Sequence, residues 1–188
     1  ADLSKQEKFL SYSMENMFNL YLTLISLLVA LQQKAEEYLT ISSKKYLATE
    51  EEKNPNRKFV DNKLLKLITE NKALSAEIKK RKLTNWDIEE DYITIIFDKI
   101  RESNSYKDYM QSKTSGFRED ADFIMNMYKE IIAVEDKLYD FIEDSSLTWV
   151  DDLPLINTMI LKMFRKVSNK SDQNWLMPSL YKDTDCLL

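Results

Sequence analysis

The chain has 188 residues with a formal net charge of −5, 44% hydrophobic and 31% charged residues, one glycine, three prolines, one cysteine and no histidine. Average usage is roughly 7% glycine and about 5% proline, so the residues of tight turns and strand corners are nearly absent and an all-α chain is expected. Without histidine the commonest general base and metal ligand is missing, and a single glycine rules out phosphate-binding loops and dinucleotide fingerprints. The acidic balance offers no general attraction to nucleic acid or anionic lipid, so an RNA role needs a local basic patch. A lone cysteine, Cys186, cannot form an internal disulfide and fits a reducing, cytoplasmic setting.

Ser4 with Glu7 has the spacing of a capping box, and Phe9, Tyr12, Met17, Leu20, Leu24, Leu27, Leu28 and Leu31 follow at helical intervals. This predicts a long first helix from about Lys5 to the region of Tyr46, weakest at Thr40 to Ser43. Its most apolar part, Phe18 to Leu31, is shorter than the roughly 20 residues of a membrane span and reads as a buried helix. Ala1-Asp2-Leu3-Ser4 has no basic signal-peptide start, and no membrane association is expected.

Glu50 to Pro55 reads as a loop. A helix is predicted from Arg57 to Thr69, another from an Asn71 cap to Lys80, and a third from a Thr84 cap to Arg101. Ser103 to Lys113 reads as a short helix, with Gly116 as a hinge. Phe117, Phe123, Ile124, Met127, Ile131, Val134, Leu138 and Phe141 then predict one long helix to Ser145. A last helix is expected to start at Asp151-Asp152 with Pro154 in its first turn, and Trp175 and Pro178 mark an extended tail. The whole reads as one helical domain over 1–188: an all-α bundle of about six or seven helices with long first and fifth helices, and a fragment of a longer protein.

The acidic clusters Glu50-Glu51-Glu52, Glu89-Glu90-Asp91 and Glu119-Asp120 with Asp122 favour helix starts over metal binding, because di-metal bundle sites pair glutamate with histidine. No catalytic residue, metal ligand or cofactor site is assigned, and the chain does not read as an enzyme. Lys79-Lys80-Arg81-Lys82 is the one compact basic run. It suits a helix C-terminus on a solvated face, and it is also the local candidate for RNA contact.

Ala48-Thr49-Glu50-Glu51-Glu52-Lys53-Asn54-Pro55-Asn56-Arg57-Lys58-Phe59-Val60-Asp61-Asn62 resembles a segment of the transcription antitermination factor NusB family in its enlarged Bacteroidetes form. Trp149-Val150-Asp151-Asp152-Leu153-Pro154-Leu155-Ile156-Asn157-Thr158-Met159-Ile160-Leu161-Lys162 is similar to a second segment, and Leu180-Tyr181-Lys182-Asp183 to a shorter third. The resemblance implies an all-helical protein that binds boxA RNA together with the ribosomal protein NusE during ribosomal RNA transcription. It places the family's arginine-rich helix ahead of Ala1 and its closing helices beyond Leu188, so it transfers no RNA-contact or NusE-contact residue to this chain. A helical protein-interaction module or scaffold without RNA affinity is the alternative reading.

Overall fold

The computed structural model describes residues 2–83 and 85–167, and every regular element among them is helical. The expected Thr84 cap, the tail with Trp175 and Pro178, Cys186 and the third resembling segment lie outside the described residues. Among these described residues nine α-helices run in the order α1 (Asp2–Ser43), α2 (Glu50–Lys53), α3 (Lys63–Thr69), α4 (Lys72–Lys80), α5 (Glu90–Glu102), α6 (Asn104–Gln111), α7 (Phe117–Met127), α8 (Asp136–Ser145) and α9 (Leu147–Lys166). A 3₁₀ turn, Asn85–Asp87, precedes α5, and a π-helical turn, Tyr128–Ile132, follows α7.

At 42 residues α1 is about 63 Å long. Every residue from Leu20 to Leu28 is buried, with Phe18, Leu31 and Ala35. A helix apolar on all sides has to be enclosed on all sides, and α9, α5, α3 and α4 pack around it. By length and composition α1 would be able to cross a membrane, with a mean hydropathy of 1.5 over its most apolar window, but 61% of that window is buried within the bundle. Its first turns extend past the other helices, and the expected core positions Phe9 and Tyr12 are 70% and 69% exposed. Ser4 lies inside the helix. The helix stops at Ser43 and not at Tyr46, where Thr40 and Ser43 hydroxyls bond back to the carbonyls of Glu36 and Thr40.

Several predicted boundaries move, each because a tertiary contact outweighs local pattern. Glu50–Lys53 is a helical turn closed by a capping box between Thr49 and Glu52. Arg57 to Asp61 form turns, and α3 begins only after Asn62, whose side-chain oxygen accepts from the Leu64 and Leu65 N–H groups at 2.9 and 3.1 Å. The segment Asn85–Glu102 is interrupted, because Trp86 is drawn into the core and donates its indole N–H to Thr23 O (3.1 Å) and Ser26 Oγ (2.9 Å) on α1.

The predicted long helix from Phe117 to Ser145 is also broken. After the π turn, Ala133 N–H bonds Tyr128 O at 2.8 Å and the chain turns, leaving Val134 66% exposed. Glu135 restarts the helix as the α8 N-cap, buried and bonded at 2.5 Å to Lys99 of α5. The expected second long helix is therefore divided into α7 of 11 residues and α8 of 10, and among the described residues the second-longest helix is the 20-residue α9. This helix starts at Leu147 and not at Asp151, so Pro154 sits in its interior. The additional turn is held by Trp149, whose indole N–H donates to Asn16 O (3.0 Å) and Oδ1 (3.1 Å) on α1.

Gly116 is not a glycine-dependent hinge. Its φ of 174° is extended backbone, and a Cβ there would meet no atom within 4 Å.

The junction of α3, α6 and α7 is polar and closed. Asn62, fully buried, donates to Tyr109 Oη and Asp120 O, both at 3.1 Å. Tyr109 donates to Asp120 Oδ1 at 2.8 Å, and the Lys63 N–H reaches Asp120 Oδ2 at 2.9 Å. Asn62→Ala removes the α3 cap and deprives Tyr109 Oη and the Asp120 carbonyl of their buried Asn62 donor. It is expected to destabilise the fold by about 2–4 kcal/mol, measured by urea unfolding.

Burial raises the hydroxyl pKa of Tyr21, Tyr109 and Tyr128 above the ordinary tyrosine value, assisted at Tyr109 by the Asp120 carboxylate. The unfolded chain releases these protons near pH 10 while the folded chain retains them. Their stabilisation is therefore complete below pH 10 and declines as the pH rises above it. Tyr128→Phe should reduce the loss of unfolding free energy above pH 10, by about 1.4 kcal/mol in total by pH 11, measured by urea unfolding across that range.

Candidate nucleic-acid interface and the groove beside it

The basic run falls at the C-terminus of α4, and its four residues have separate environments. Lys79 and Lys80 occupy the last turn, exposed and favourably placed against the negative end of the helix dipole. Arg81 is the C-cap, and its guanidinium is bound within the fold. Its Nε donates to Glu77 Oε1 at 2.6 Å, and its NH1 group donates to Glu15 Oε2 at 2.5 Å and Asn19 Oδ1 at 2.9 Å. The plane also lies over Phe18, 4.6 Å from the ring centroid. Partial burial disfavours the charged guanidinium, but the bonds to Glu77 and Glu15 outweigh it and hold its pKa above the ordinary arginine value. Arg81 therefore secures α4 to α1.

Lys82 has the other distinctive conformation. Its φ is 58°, the one positive value among described non-glycine residues. Lys82 N–H bonds Lys79 O at 3.1 Å, and Leu83 N–H bonds Ile78 O at 3.0 Å. These two bonds define a Schellman ending, with Ile78 and Leu83 both buried at the accompanying hydrophobic contact. The position usually belongs to glycine, and a lysine there carries backbone strain.

Of the run, Lys79 lines a concavity. A cleft of about 210 Å³ opens between α1, α3, α4 and the 3₁₀ turn, with Ala30, Ile68, Leu74 and Trp86 in its walls and Lys79 and Asp87 at its lip. Two shallower depressions continue it. One runs along α4 past Lys72, and the other crosses α1 to Lys34 and Glu37. Pattern reading reached Lys79 as part of a charge run but not this groove, whose walls come from four separate stretches of chain.

The acidic clusters have structural roles where they are bonded. Glu52 completes the α2 capping box, and its bonds with Lys45 and the Thr49 backbone lower its pKa. Asp120 belongs to the Asn62 junction. Among the described residues no three acidic or cysteine side chains are grouped as a metal ion would require.

Comparison of the chain with models of known protein families, with curated proteins and with solved structures finds no match.

Two substitutions separate structure from surface charge within the run. Lys82→Gly should stabilise the protein by about 1 kcal/mol by relieving the left-handed residue, whereas Arg81→Ala should destabilise it by about 1–2 kcal/mol, both read from thermal or urea unfolding. Lys80→Ala should stay within about 0.5 kcal/mol of the parent.

Proposed function

We propose that this chain is the helical body of a NusB-type transcription antitermination factor, acting in the cytoplasm without catalysis and binding boxA RNA together with NusE. The observation that carries the reading is the pair of resembling segments, 48–62 and 149–162, on a chain whose regular structure among the described residues is all helical. Both segments contribute tertiary fastenings. In the first, Lys58 Nζ donates to the carbonyls of Tyr109 (2.8 Å), Ser112 (2.9 Å) and Thr114 (3.1 Å), and Asn56 Nδ2 donates to Met110 O at 2.8 Å. In the second, Trp149 is bonded to Asn16, and Asn157 Oδ1 accepts from Tyr128 Oη at 2.6 Å. Residues with such duties are the ones a shared fold would retain, which favours likeness of architecture over chance likeness of composition.

Within the basic run, the cations available for RNA are Lys79, Lys80 and Lys82, with Arg81 engaged by Glu15 and Glu77. Three phosphate contacts make a modest electrostatic term, compatible with a factor that binds RNA jointly with a protein partner.

The test is fluorescence anisotropy of labelled boxA RNA with the full-length protein and NusE across a salt series. Affinity should fall as salt rises, and joint charge reversal of Lys79, Lys80 and Lys82 should reduce the log–log slope by up to about 3. Absence of boxA binding at low salt would overturn the antitermination reading. An unchanged slope in the triple variant would place the RNA contacts elsewhere.

A further inference from the structure

We propose that the groove beginning at Lys79 is a docking site for a polypeptide partner that inserts one bulky apolar side chain between an acidic flank and a basic flank. This inference does not depend on the antitermination reading.

The size of the central cleft comes first. At about 210 Å³ it lies below the roughly 300 Å³ where small-molecule sites begin, and suits a single Leu-, Met- or Phe-sized anchor. The polar groups beside Trp86 are already satisfied. The Trp86 indole N–H is taken by Thr23 O and Ser26 Oγ, and Ser26 Oγ donates to Thr23 O at 2.7 Å. The floor therefore gives water few partners, and an apolar group displaces such water favourably.

Charge then selects the occupant. Lys72 and Lys79 stand at the α4 end with Glu70, and among the described residues neither lysine's side-chain ammonium has an ion-pair or hydrogen-bond partner. At the opposite end are Asp87, Glu37 and the pair of Lys34 with Glu90, joined at 3.3 Å. The first end is net +1 (Lys72 and Lys79 against Glu70) and the second −2 (Asp87, Glu37 and Glu90 against Lys34). A nucleic-acid strand would meet repulsion over the second half of the groove. A polypeptide that is acidic on one side of its anchor and basic on the other complements both ends, and such complementarity fixes orientation as well as rate.

The test uses the 188-residue chain with synthetic 13-residue peptides carrying a central Phe between a Glu-rich and a Lys-rich flank, in both chain orders. Matched peptides with Ala in place of Phe and a single-stranded RNA 12-mer complete the set, with binding read by calorimetry. One order is expected to bind saturably and to lose at least about tenfold in affinity on replacement of Phe by Ala. Ala30→Trp, which fills the cleft, should have the same effect, and the lip variant Ser75→Phe is the second cleft-filling test if Ala30→Trp melts early by circular dichroism. Lys79→Glu should weaken binding several-fold while Lys80→Glu, outside the groove, should not. The proposal is overturned if neither order binds at millimolar peptide, or if binding ignores both the anchor and the cleft-filling variants. It is equally overturned if the RNA binds in place of the peptide and is itself lost in those variants.

Discussion

Burial of α1 on every side is the constraint from which the rest of the fold follows. A helix with nine consecutive buried residues from Leu20 to Leu28 has no solvent face along that stretch, so the other helices must surround it. Specific bonds then set where each one sits. Trp86 reaches the Thr23 carbonyl, Trp149 the Asn16 carbonyl, Arg81 the side chains of Glu15 and Asn19, and Arg57 the carboxylate of Glu36 through two 3.0 Å bonds. The hydrophobic effect supplies the drive and these polar contacts supply the register.

The same division explains how much of the fold was readable beforehand. Helical content, the burial of Phe18 to Leu31 and the cap at Asn71 were legible because they depend on composition, periodicity and a cap residue next in sequence. The break after Tyr128 was not, because it relies on Glu135 meeting Lys99 from another helix. Nor was the early start of α9, since Leu147 to Val150 have no strong local cap and are held through Trp149 by Asn16. At the candidate interface the sequence revealed the charges but not their partners. Four adjacent cations looked equivalent, yet Arg81 is bonded inward, Lys82 is a left-handed chain reversal, and Lys79 borders a groove assembled from four separate stretches of chain.

That sorting bears on any reading of function. The groove and the outer surface of the run share only Lys79, so they are chemically distinct neighbours: a mixed-charge slot with an apolar floor, and a small positive edge at Lys80 and Lys82. A factor that assembles with both RNA and protein would have use for each. Charge and shape define both surfaces, and these set the rate and orientation of assembly.

The shortage of glycine also determines how helices end. At α4 a lysine occupies the place where glycine is usual. At α6, Lys58 from 51 residues earlier covers the terminal carbonyls, and at α9 Arg118 does so from 46 residues earlier by donating to Phe164 O, Arg165 O and Val167 O. These stops are not encoded in the helices they close. Until the distant cation arrives, the end of each helix has only water for its carbonyls, and loosening the turn around Lys58 exposes the end of α6 as well. Secondary and tertiary structure are thereby tied together at helix ends, and a collection of short helices gains a reason to melt as one unit.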